Sequence, residues 1–387
     1  MADAIRASSC QSVIDFVQRL LLPAIAWSVC FRAILVLAPT LSIALWTGRS
    51  IYLGTALGVT GLIVVERVSR SAVLLSLHAL VTAGLFLLFL VALSYPLIFI
   101  VLCAACGFTS VAIGRFGEHL ISLGSYSLIP ALYLACEIGS KGNPVEVGTN
   151  ALAVLQAWPL AVASVGTVAV IGYRLVTRLP PPPLTVSGIF RLSNPPASTT
   201  AIEKRALCRL LAVLAAAALT EIGGVSEPQW VIWSAASVAL GDPAGSWDKA
   251  RVRGRAVLIG VPLGLLAGWP LPSDRFTYSV LAILIALSLI AVPNYALSVA
   301  MRAALVAAAG RAASNGIEIG MDRVCNLLLG GLIGYVATAG LNGWWLWRQQ
   351  HWSTLGAPAG GRSARGSPER QTRIGGQFSQ DYQLKSP

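Results

Sequence analysis

Twelve apolar runs govern what this chain can fold into. Bounded by charged residues and Gly/Pro breaks, they cover 28–47, 51–65, 71–91, 95–114, 121–138, 151–173, 205–222, 228–241, 254–271, 276–292, 294–310 and 320–341. A bilayer core takes about 20 apolar residues per helix. The runs are continuous rather than alternating, which selects helices over a closed barrel. The expected fold is an all-α polytopic membrane protein with about 12 (10–12) transmembrane helices in two six-helix halves. The short runs 51–65 and 228–241 set the lower figure. Composition agrees: 11% of the residues are charged and 56% hydrophobic, against about 25% charged in an ordinary soluble domain. A cytosolic enzyme, a nucleic-acid binder and a disordered chain are excluded.

The net charge of +12 is mostly orientation. With a cytoplasmic N-terminus and all runs crossing, 20 of the 28 Lys and Arg fall on the cytoplasmic side and four on the other. Such a bias sets topology, so both termini of a multi-pass protein are expected in the cytoplasm. The segment 311–323 fits this count poorly, because Arg311, Glu318, Asp322 and Arg323 then lie outside.

Residues 1–27 are read as a cytoplasmic segment and 28–176 as the first transmembrane half. The stretch 177–202 holds Pro180 to Pro183 and Asn194-Pro195-Pro196, which makes it a proline-rich cytoplasmic linker. Residues 203–342 form the second half, and 343–387 a disordered basic tail. Trp344, Trp345, Trp347 and Trp352 suit an interfacial belt where the last run ends. Both halves open on Arg-Ala-aliphatic (Arg32-Ala33-Ile34, Arg205-Ala206-Leu207) and have a short second run, the pattern of a parallel repeat. Seven cysteines lie mostly in apolar runs, as small hydrophobes. Asp3 and Asp15 ahead of the first apolar stretch argue against a signal peptide.

The second half carries a series of short motifs. Pro228-Gln229-Trp230-Val231-Ile232-Trp233-Ser234 opens a short run, followed by the charged turn Gly245-Ser246-Trp247-Asp248-Lys249-Ala250-Arg251. Arg253 stands seven residues before Gly260, and Arg323 seven before Gly330. This order resembles the fusaric acid resistance and aromatic acid exporter family of bacterial inner-membrane proteins. That family has a Pro-aromatic-Trp span, a basic turn leading into an Arg-x-x-Gly-Thr-x-x-Gly span, and a late Arg-x-x-Asp-Thr-x-x-Gly span. The resemblance covers about 200–342, and 28–175 by hydropathy only. Ala256-Val257 replace the Gly-Thr pair, and Asn326 the late Asp. The resemblance implies an exporter of organic acids.

Four arginines fall in or at the runs: Arg32, Arg209, Arg302 and Arg323. A charge at mid-bilayer costs roughly 2.5–3.5 kcal/mol on the lenient insertion scale, so it faces a cavity, a partner or water. Cations lining a cavity select anions, and the guanidinium fork matches a carboxylate. These four, with Trp230 and Trp233, are the candidate substrate-binding residues. Arg32 and Arg209 lie about one turn inside their runs, where snorkelling to the headgroups is the other reading. Arg323 has Asp322 and Glu318 as alternative partners, and Arg311 is a second candidate partner for those acids. Arg251, Arg253 and Arg255 are read as a cytoplasmic mouth gathering anions, or as a topology signal. Glu318, Asp322 and His78 are coupling candidates, against solvated carboxylates and a packing histidine. Gly54, Gly58 and Gly61, and again Gly260, Gly264 and Gly268, make small faces for close helix packing.

There is no Ser-His-Asp ordering, metal-ligand spacing or nucleotide motif, so neither enzyme activity nor a cofactor is expected. The expected function is gradient-driven export of small organic anions, aromatic or amphipathic carboxylic acids. The expected partners are the lipid bilayer, the organic anion, and a second copy or a periplasmic adaptor. The other class is a membrane-embedded subunit of an envelope polymer or lipid assembly system.

Overall fold

The computed structural model describes residues 25–47, 58, 60–63, 71–140, 143–177, 199–312 and 316–355. The N-terminal segment 1–24, most of the run 51–65, most of the proline-rich linker and the tail beyond 355 lie outside them. Among the described residues there is no strand. The helices are α1 (Trp27–Thr47), α2 (Ala72–Ala92), α3 (Pro96–Ala112), a 3₁₀ turn (Ile113–Phe116), α4 (Glu118–Gly139), α5 (Pro144–Thr177) and α6 (Thr199–Gly223). They continue with α7 (Pro228–Val238), α8 (Pro243–Gly268), α9 (Arg275–Ile290), α10 (Tyr295–Ala312) and α11 (Gly316–Leu355). Eleven of the twelve apolar runs thus have a helix of their own.

Local chemistry places the helix starts. Pro96, Pro228 and Pro243 occupy the first turn of their helices, where a missing amide costs nothing and the fixed φ suits the helix. Asp242 caps α8 by accepting from the Gly245 amide at 2.8 Å, and Asp274 caps α9 through the Thr277 amide at 2.7 Å.

Five helices are long and apolar enough to cross a membrane: Val73–Ala92, Pro96–Phe116, Pro144–Arg174, Thr200–Gly223 and Gly320–His351. Trp27–Ile43 and Phe276–Ile290 are shorter apolar helices. Large apolar side chains also point outward, such as Trp46, Leu97 and Ile222. Helices apolar inside and outside belong in lipid, and the protein is a multi-pass membrane protein.

Residues up to Asn342 form one compact unit and those from Gly343 a second. In the first, one core joins both halves of the sequence. Phe86 and Phe89 of α2, Phe99 of α3, Leu134 and Ile138 of α4 and Trp158 of α5 pack with Ala212 and Ala216 of α6 and with Val231, Ile232 and Ala235 of α7. In the second unit α11 continues to Leu355, so the first part of the segment expected to be disordered is helical. There Trp344 meets Trp345 edge-on with centroids 6.1 Å apart, and Arg348 lies 5.5 Å over the Trp344 ring.

The 228–241 run is resolved in an unexpected way. Its helix, α7, has 11 residues and covers only about 16 Å at 1.5 Å per residue. Yet the segment is pinned to α11 at both ends. Ser226 donates to Asp322 at 2.7 Å, and Asn342 donates to the Gly241 carbonyl at 3.3 Å. Asp322 and Asn342 are about 30 Å apart along α11, the thickness of a bilayer core. The extended residues 239–242 supply the remainder. Gly241 holds φ at +83° and sits against the backbone and stem of Arg205, where any side chain would collide. The start of α6 and the end of the α7 segment therefore share the Asn342 end of the bundle. Helices α8 and α10 run parallel: Gly260, Gly264 and Gly268 face Ala300, Ala304 and Ala308 in register. This carries the end of α10 at Arg311 and Ala312 to the Asp322 end, opposite Asn342.

Candidate functional site

The second half brings its buried cations onto two tryptophans. Trp230 and Trp233, one turn apart on α7, stack with centroids 5.2 Å apart and planes 29° apart. The guanidinium carbon of Arg323, on α11, lies 3.6 Å from the Trp230 ring centroid. Those of Arg253, on α8, and Arg302, on α10, each lie 5.7 Å from the Trp233 ring. Tyr133 of α4 packs on Trp230 at 5.5 Å. The result is a ladder of guanidinium, indole, indole and two guanidiniums, built by four helices. A desolvated cation–π contact contributes up to about 2 kcal/mol, so the indoles hold these cations without neutralising them.

The cations remain short of partners. Arg253 donates to the Ser237 hydroxyl at 2.8 Å, but the Nε atoms of Arg253 and Arg323 are buried with no acceptor. Glu227 and Glu137 attract Arg323, whereas no carboxylate acts on Arg253 or Arg302 among the described residues; Arg251, on the exposed face, pairs with Asp248 at 3.1 Å. Arg302 feels the repulsion of both Arg253 and Arg323. A buried cluster of like charge is costly, and Glu227 and Glu137 offset that cost at its Arg323 end.

A strained acid holds the ladder in place. Glu227 occupies the left-handed region at φ +51°, costly for a residue with a side chain. Its carboxylate accepts from the Trp230 indole nitrogen at 2.7 Å. Asn326 donates to the Ser226 carbonyl at 2.7 Å, and Asp322 accepts from the Ser226 hydroxyl. The bend before α7 is thus clamped to α11, and with it the face that Trp230 turns to Arg323. Glu227→Ala removes a charge-assisted bond worth about 1.5–3 kcal/mol while keeping the strained backbone. The expected result is a lower melting temperature in detergent and an altered tryptophan emission.

The sequence candidates sort as follows. Trp230, Trp233, Arg302 and Arg323 come together. Arg253 joins them, 6% exposed, instead of lining an open mouth; Arg251 and Arg255 stay exposed on the opposite face of α8. Arg323 stacks on Trp230 rather than pairing with Asp322 or Glu318. Arg311 likewise stacks, 4.5 Å over Trp269, and Asp322 is taken by Ser226. Glu318 is exposed. His78 is buried on α2 between Ser122 and Ser127 of α4, at 3.3 and 3.4 Å, the geometry of a packing histidine. The Arg32 stem lies beside Gly172 of α5. Arg209, on α6, donates to the Ser125 hydroxyl at 3.3 Å.

Lys249 was not singled out on its own. It lies ahead of the apolar run that starts at 254, with its ammonium 5.7 Å over the Tyr295 ring. Burial first, then the nearby Arg253 and Arg209, push it down to about 8. A cleft of about 250 Å³ lies elsewhere, between α3 and α6, lined by Phe108, Ala112, Arg115, Ile202, Glu203 and Leu207. No group of three or more metal-ligating side chains occurs among the described residues.

Neither the curated proteins nor the solved structures contain a match to the chain. A family model does match, and its direction is towards a membrane transporter or exporter. Residues 211–337, which hold Trp230, Trp233, Arg253, Arg302 and Arg323, match the fusaric acid resistance protein-like family.

Proposed function

We propose that the chain exports small organic anions, aromatic or amphipathic carboxylates, across the bacterial inner membrane by a gradient-driven mechanism. Both termini and the Asn342 end face the cytoplasm, as the excess of Lys and Arg on that side favours. The carrying observation is the ladder: three buried guanidiniums set against two stacked indoles. A carboxylate has the charge and the planar shape for the guanidinium fork. An aromatic ring attached to it has the indole faces to pack on.

The test compares cells with and without the chain, loaded with radiolabelled benzoate and a panel of other weak aromatic acids. Expression should raise tolerance and lower retention of at least one acid. Unchanged tolerance and retention across the panel refute the reading.

A further inference from the structure

We propose that Arg209, Lys249 and the Ser125 hydroxyl form a second anion site, an entry station at the Asn342 end of the bundle, which takes a small carboxylate by its charge alone. The proposal rests on reading the ladder as an anion site, and it assigns a different set of residues to a different step.

Arg209 lies one turn along α6 from Arg205, the residue that touches Gly241 at the Asn342 end. Its side chain is 8% exposed. Its Nη1 donates to Ser125 on α4, and its Nε is buried without an acceptor. No carboxylate pairs with it and no ring stacks on it among the described residues. The charged group in electrostatic reach is another cation, Lys249, which also feels Arg253. Two cations lie within electrostatic reach of each other here, with the Ser125 hydroxyl bonded to Arg209. This is the donor set of a carboxylate site. The Lys249 pKa of about 8 fits a cation held in a desolvated place without a counter-charge.

The position gives the site its role. Lys249 is in electrostatic reach of both Arg209 and Arg253, and Arg253 lies over Trp233. Along α7, Trp233 leads to Trp230 and then to Glu227 at the Asp322 end. The cations therefore form a series from one end of the bundle to the other, with the aromatic part only in its second stretch. An anion entering at the Asn342 end meets Arg209 and Lys249 before it meets an indole. The first station accepts any small carboxylate, and the second selects those with a ring.

The experiment measures binding stoichiometry on the full-length protein in lipid nanodiscs at pH 7, by equilibrium dialysis with radiolabelled benzoate and acetate as competitor. The wild type should bind two benzoates per chain. Arg209→Gln and the double variant Arg302→Gln/Arg323→Gln should each bind one. The benzoate left in the double variant should be displaced by acetate at a similar concentration, since no ring discriminates there. The one left in Arg209→Gln should resist acetate at least about tenfold better, as a stacked aromatic contact allows. Should Arg209→Gln fail to fold, Ser125→Ala and Lys249→Gln replace it, each weakening the acetate-sensitive site about tenfold through a lost charge-assisted contact. Two benzoates in Arg209→Gln, or a single wild-type benzoate indifferent to all three entry substitutions, overturn the entry station and leave the ladder standing. A wild type that binds no benzoate overturns both.

Discussion

Replacing Arg302 and Arg323 together by Gln should abolish benzoate export without reducing the amount of folded protein. The expected loss follows from what the two cations do for an anion between helices. Leaving one partner of a buried charge pair without the other costs about 2–5 kcal/mol, which is roughly 30-fold to several-thousand-fold in binding. Removing two should put export below detection. Stability has the opposite sign. Arg302 is repelled by Arg253 and Arg323, and the Arg323 Nε is buried without an acceptor. Neutral Gln sheds this repulsion and the desolvation of two charges, at the expense of the attraction of Glu227 and Glu137 for Arg323 and of cation–π contacts worth at most about 2 kcal/mol each. Melting temperature should hold or rise while export disappears. Retained export in the double variant sinks the role of the ladder. A collapse of expression would make the arginines structural instead. Both quantities come from one preparation, with fluorescence-detected chromatography for folding and benzoate retention for transport.

Part of the ladder was legible because charge in an apolar run is an exception that needs a reason. That rule singles out Arg302 and Arg323, together with Arg32 and Arg209. The Pro-Gln-Trp-Val-Ile-Trp motif, together with the family-like arginine spacing, singles out Trp230 and Trp233. Arg253 was legible in principle and misplaced. Arg251, Arg253 and Arg255 read as one basic turn, but they lie on a helix at 100° per residue. Residues 251 and 255 therefore share a face, and 253 points the other way, into the core. Glu227 carries no sequence signal for its task. Its left-handed backbone and its bond to Trp230 exist only once Asp322 and Asn326, nearly a hundred residues later, clamp the bend. Tyr133 and Ser125 are in the same position, since both reach the second half from α4 and nothing local marks them.

The span count shows where hydropathy works and where it needs geometry. Apolar runs located the helices well, because lipid leaves a backbone no partner but itself. Run length did not give the right account of 228–241. A 14-residue run is short for a helix that crosses, and its helix is shorter still. The segment nevertheless covers the distance from Asp322 to Asn342 by ending in extended chain, where Gly241 supplies the backbone that no other residue adopts cheaply. An irregular stretch at membrane depth is tolerated when its polar groups find protein partners, and Asn342 provides one for the Gly241 carbonyl.

The other large effect belongs to one methyl group. Gly264→Ala should prevent α8 and α10 from docking, whereas Gly340→Ala on α11 should be neutral or slightly stabilising. A Cβ on Gly264 would overlap the Ala304 backbone of α10, and backbone has no rotamer into which to retreat. Gly260 and Gly268 flank it one turn away, also against α10 backbone at Ala300 and Ala308. The two helices therefore cannot pivot about 264 without losing the neighbouring contacts. Close approach of this kind is what holds membrane helices together where no hydrophobic drive separates lipid from leucine. Overpacking a tight interface costs about 1–3 kcal/mol even where side chains can move, so the rigid case should reach about 3 kcal/mol or more. A Cβ on Gly340 meets nothing within 4 Å, and Ala there gains about 0.4–1 kcal/mol by restricting the unfolded chain. The consequence reaches the ladder, because α8 carries Arg253 and α10 carries Arg302. Loosening their contact moves both guanidiniums off Trp233 together. Tryptophan fluorescence in the residual folded fraction of Gly264→Ala should therefore shift, and it should be unchanged in Gly340→Ala. Equal melting temperatures for the two variants would mean that the α8–α10 contact does not organise the second half.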